Sequence, residues 1–79
     1  MNNFNTVFTC IKNGCGQKGV MLGPGIFAQL ADDAGIPLTR LDFILTTLQN
    51  LELIKYSTEE NYIRLTYFGK KQERLFTSD

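Results

Sequence analysis

The sequence contains no histidine, and that absence removes more chemistry than any residue present supplies. Without imidazole there is no Ser–His or Cys–His pair to activate a nucleophile, and the most frequent general base is gone. Cysteine is scarce too: Cys10 and Cys15 are the whole complement. A structural zinc site takes about four ligands, so a C-x4-C pair is two short. No G-x-x-x-x-G-K-[ST] loop is present to cradle phosphates. Aspartates and glutamates fall on faces that the periodicity leaves exposed. We therefore expect no enzyme, no metal site and no cofactor. Long hydrophobic runs are missing as well: none approaches the roughly 20 residues that span a bilayer. Met1-Asn2-Asn3-Phe4-Asn5 lacks the basic start and apolar stretch of a signal peptide. A soluble, cytoplasmic protein with no membrane partner is the expectation. In that compartment free thiols are the default. The flexible Gly14-Cys15-Gly16 segment could still bring Cys15 to Cys10, which keeps a redox or metal-sensing pair as a minor reading.

An excess of positive charge is also missing, since eight basic residues face eight acidic ones. A strongly DNA-binding domain usually carries a basic excess. The distribution is uneven, however. Residues 32–60 hold Asp32, Asp33, Asp42, Glu52, Glu59 and Glu60 against Arg40 and Lys55, whereas 61–74 hold Arg64, Lys70, Lys71 and Arg74 against Glu73.

What is present is a core. Hydrophobic residues make up 43% of 79 residues, with six phenylalanines and three tyrosines, enough for one small domain over 1–79 and too many for a disordered chain. Phe4, Val7, Phe8 and Ile11 are spaced as one helical stripe, giving a first helix over 3–13, with Asn2 or Asn3 as cap and Gly14 as stop. Glycines make 14–19 a loop, and Val20-Met21-Leu22 reads as a stub strand against a later hairpin. Gly23-Pro24-Gly25 opens a second helix with proline at its first position, Phe27, Leu30, Ala31 and Ala34 on its buried side, and Gly35 at its end. Pro37 then precedes a third helix to about 51, whose ladder is Leu38, Leu41, Ile44, Leu45, Leu48 and Leu51. Its outer face carries Thr39, Arg40, Phe43, Thr46, Thr47 and Asn50. Two β-rich runs, 53–57 and 62–66, flank the polar turn Thr58-Glu59-Glu60-Asn61. Thr66 caps a last helix over about 67–76, with Phe68, Gln72, Leu75 and Phe76 on one side and Tyr67, Lys70, Lys71 and Arg74 on the other.

From Leu30 to Gly69 this order resembles the winged helix-turn-helix regulators of the MarR and PadR kind. Leu30-Ala31 with Gly35-Ile36 is similar to the first helix and turn of that motif. Leu48-x-x-Leu51-x-Leu53-Ile54 is similar to a recognition helix running into a wing strand, and Ile63-x-Leu65-Thr66-x-x-Gly69 to the second wing strand and closing helix. The resemblance implies an α+β, mostly α, fold: a three-helix core, a short first strand, a β-hairpin wing and a short C-terminal helix. The helix-turn-helix would span about 25–51, the wing about 53–66 and the last helix about 67–76. It also implies double-stranded DNA as partner, with helix 38–51 in the major groove. Thr39, Arg40, Phe43 and Thr47 would face base edges, Lys55 and Arg64 would flank the wing, and Gln29 with the amides after Pro24 would face phosphate. Lys70 and Lys71 would grip the backbone. The sequence departs from the family at Glu52, where a helix-ending glycine is usual, and in lacking long dimerising helices. A homodimer would have to use helices one and four, through Phe4, Phe8, Leu75 or Phe76.

Several of these residues carry a second reading. Arg40 could pair with Asp42 or Asp33 on the surface. Phe43 is read as the edge of the core; exposed, it could touch a thymine methyl or anchor a protein partner. A small DNA-binding transcriptional regulator is the first expectation. A winged-helix module that binds another protein and no DNA is the second.

Overall fold

In the computed structural model, which describes residues 3–72, the stripe Phe4–Val7–Phe8–Ile11 forms helix α1 (Asn3–Cys15), with Val7, Phe8 and Ile11 fully buried. The helix does not stop at Gly14. It runs through Cys15 into a 3-10 turn (Gly16–Lys18), and the left-handed residue that closes the turn is Gly19, at φ 75°. Gly14 serves close approach instead: a Cβ there would meet the Met21 side chain at 2.9 Å. Asn3 lies inside the first turn and not ahead of it; Asn2 is outside the described residues.

Strand β1 (Val20–Leu22) leads to helix α2 (Ile26–Ala34). Proline does not take the first helical position expected of it. Gly25, at φ 88°, is the N-cap, and Pro24 lies in the turn before it. Gly35 closes α2 as expected, in a left-handed conformation with its N–H on Asp32 O, while Ile36 N–H reaches Ala31 O. Helix α3 (Leu38–Asn50) follows the extended Pro37. Four of the six ladder leucines and isoleucines are buried, Leu41, Ile44, Leu45 and Leu48; Leu38 and Leu51, in the first turn and at the cap, are each 54% exposed.

Strands β2 (Ile54–Ser57) and β3 (Tyr62–Leu65) form the hairpin, and β1 adds to its far edge, so the antiparallel order is β1-β3-β2. The register pairs Val20 with Arg64 and Arg64 with Lys55. Helix α4 (Tyr67–Lys71) is shorter than expected, since Gln72 is its extended C-cap at ψ 120°; Arg74, Leu75 and Phe76 lie outside the described residues. The result is an α+β fold, mostly helical. Phe8, Leu30, Leu45, Ile54 and Ile63 meet in its core, each contributing about 1.5–3 kcal/mol by burial.

Candidate nucleic-acid interface

Helix α3 turns its leucine face onto α1, α2 and β2 and leaves Thr39, Arg40, Phe43 and Asn50 exposed. The hairpin is tied along its flank. Thr46 donates its only hydroxyl proton to Asp42 O at 2.9 Å, so the 2.9 Å contact between Thr46 Oγ1 and Tyr56 Oη has tyrosine as donor. Tyr56 N–H also donates to Gln49 Oε1 at 3.1 Å, and Phe27 meets the Tyr56 ring edge-on. Neither Tyr56 nor Gln49 was singled out from the sequence. The signal was there, because Tyr56 occupies the same face of its strand as Ile54.

The expected contact residues divide into separate groups. Arg40 is exposed and, among the described residues, makes no ion pair with Asp42 or Asp33. Phe43 is not a core-edge residue: it is 58% exposed, steadied on one side by the Phe4 ring at 6.1 Å. Position 43 falls off the buried stripe of α3. Thr47 is half-buried, and its hydroxyl donates to Phe43 O at 3.0 Å, leaving it an acceptor.

Lys55 and Arg64 stand opposite each other on neighbouring strands. Strand side chains alternate, and Tyr56 points to α3, so Lys55 and Arg64 lie on the sheet face turned away from α3. They do not converge with Arg40. Gln29 is exposed on α2, but its amide donates to Asp33 Oδ1 at 2.9 Å, so a carboxylate occupies the place intended for phosphate. On α4 the end of the Lys70 side chain lies over Gly19, and the Lys71 ammonium sits 4.8 Å from the Tyr67 ring centre. Glu59 and Glu60, at the hairpin tip, are both exposed.

The two thiols are kept apart. Because Cys15 belongs to α1, it lies five helical positions from Cys10, roughly 140° around the axis, and no loop brings them together. Cys15 is buried beside Ile63 O, and Cys10 is half-buried. Burial pushes both thiols above their ordinary range; the Asp33 charge adds to this at Cys10, while a backbone bond from Leu65 partly offsets it at Cys15.

Among the described residues, no helix is long and apolar enough to cross a membrane. No family model, curated protein or solved structure matches the chain.

Proposed function

We propose that this chain is a winged helix-turn-helix domain that binds duplex DNA, with the outer face of α3 in the major groove. One observation carries the reading. The uncovered face of α3 stands beside a hairpin that Tyr56 ties to Thr46 and Gln49, so helix and wing present one surface. Arg40 is the base or phosphate contact, Thr39 lies beside it, and Phe43 reaches a thymine methyl. Thr47 accepts a hydrogen bond but donates none outward. A single cation on that face gives modest affinity, so a transcriptional regulator of this kind acts as a dimer. Phe8 is buried and cannot form the dimer surface, which leaves Phe4 on α1; Leu75 and Phe76 lie outside the described residues.

The test is fluorescence anisotropy with mixed-sequence duplex at low and physiological salt. Binding at low salt, weakened roughly tenfold by Arg40→Ala, is the expected result. No binding at low salt would end the DNA reading. The second reading, a protein-binding module, is favoured by a specific feature: Leu38 and Phe43 are more than half exposed, and a groove of about 130 Å³ opens between Phe27, Leu38 and Leu45.

A further inference from the structure

The end of the hairpin, the last turn of α3 and α4 border an open cleft of about 280 Å³, with Gln49 on its α3 side. Ile54 forms part of its apolar lining, and Gln49, Glu52, Lys55, Thr66, Tyr67 and Phe68 line the rest. Both rings are turned to solvent, Tyr67 at 70% and Phe68 at 62% exposure, and they meet edge-on at 6.3 Å. The Lys71 ammonium lies over one face of the Tyr67 ring, leaving the other for stacking. Lys55 extends the surface onto the sheet, where Arg64 is its register partner. Two like charges directly opposite each other weaken a sheet slightly. The other strand positions on that face are Val20, Leu22, Ser57 and Tyr62, so no strand residue there supplies a compensating carboxylate.

We propose that this face binds single-stranded nucleic acid, with a base stacked on one ring of the edge-on Tyr67–Phe68 pair in the cleft and the flanking phosphates on Lys55, Arg64 and Lys71. Two exposed rings beside three cations match the pairing of stacking platform and positive track that single strands require. A duplex keeps its bases stacked on each other and has none to offer the cleft. The Glu52 carboxylate, the one acid lining it, disfavours phosphate inside and accepts a hydrogen bond from an exocyclic base amine. Phosphates are thereby directed outward to the three cations. The site does not depend on α3 binding duplex, and the two claims fail separately.

The experiment titrates the full chain against a fluorescein-labelled, unstructured single strand of about 12 nucleotides, a length within the usual site sizes. Neutralising three phosphates predicts a log–log salt slope of about −2. Phe68→Ala and Tyr67→Ala, both at exposed positions and checked for an unchanged thermal melt, should each weaken strand binding roughly five- to hundredfold. Lys55→Gln with Arg64→Gln should make the slope shallower. None of these should alter duplex binding, which Arg40→Ala alone should weaken. The proposal is overturned if no strand binds at low salt, which would leave the two rings as a protein contact. It is equally overturned if all four substitutions leave strand binding unchanged, or if Phe68→Ala reduces strand and duplex binding alike.

Discussion

The hydroxyl of Thr66 donates to Glu52 O at 2.6 Å and accepts Gly69 N–H at 3.0 Å, while its own N–H bonds Leu53 O. One residue thus joins the end of α3 to the start of α4. Gly69 is required by the same junction, since a Cβ there would lie 2.0 Å from Leu53 O, a backbone atom that cannot move alone. Gly69→Ala should cost at least the upper end of the about 1–3 kcal/mol typical of overpacking, read as a lower urea midpoint. A neutral result would mean that α4 does not seat on Leu53. Glu52 shows the opposite case. It holds φ 64°, with its N–H on Gln49 O and the next N–H, of Leu53, on Leu48 O, a helix ending that glycine normally occupies. Glu52→Gly removes left-handed strain and an anion from the negative end of α3, at some gain in unfolded-chain entropy. A net stabilisation of about 0.5–1 kcal/mol is expected in the same urea titration. Cys15 adds a pH dependence. Its folded pKa is raised, so the fold favours the protonated thiol; the contribution is complete below the unfolded thiol value, about 8.5, and declines as pH rises past it. Cys15→Ala should therefore flatten the fall in stability between about pH 8 and 10, the range around that value, and wild-type Cys15 should react slowly with iodoacetamide at pH 8.

Between elements, the contact that decides the shape of the proposed surface is Tyr56 against α3. Tyr56→Phe keeps the ring against Phe27 and deletes the bond to Thr46, which is exposed and so worth about 0.5–1 kcal/mol at most. The larger effect should be local. Amide exchange in β2 and the hairpin tip should quicken while α1 and α2 keep their protection; uniform exchange throughout would mean that the hairpin does not open separately. Helices α2 and α3 were legible from Gly35 and Pro37, because a left-handed glycine and a fixed proline act on their immediate neighbours. The Thr66-x-x-Gly69 junction was legible for the same reason. Gly14 misled because glycine serves both as helix stop and as a place of close approach, and only the distant Met21 decides between them. The division of the candidate contacts was hidden as well. The resemblance groups Lys55 and Arg64 with Arg40 on one DNA-facing surface, yet the strand alternation that turns them away is fixed by Tyr56 meeting Thr46.

For the molecule as a whole, zero net charge makes the placement of charge more informative than its amount. Among the described residues the cations are spread over α1 and its 3-10 turn (Lys12, Lys18), α3, the outer sheet face and α4, while carboxylates hold the end of α2, Asp42 on α3, Glu52 after it and the hairpin tip. If α3 lies in a major groove, the tip carrying Glu59 and Glu60 comes nearest to the flanking phosphates, and its charges oppose binding. Replacing both by lysine changes that tip by four charge units without touching the core, since both positions are exposed. Two new phosphate contacts steepen the log–log salt slope by roughly 1.8, so the gain should be large at low salt and fade toward physiological salt. Glu59→Gln with Glu60→Gln should produce a smaller gain with little change in slope, separating removed repulsion from added contact. Anisotropy with the same duplex reads both quantities. If the lysine variant gains no affinity at low salt while Arg40→Ala still loses it, α3 meets DNA with the hairpin held clear of the backbone. In that arrangement the wing is free for a partner other than the duplex.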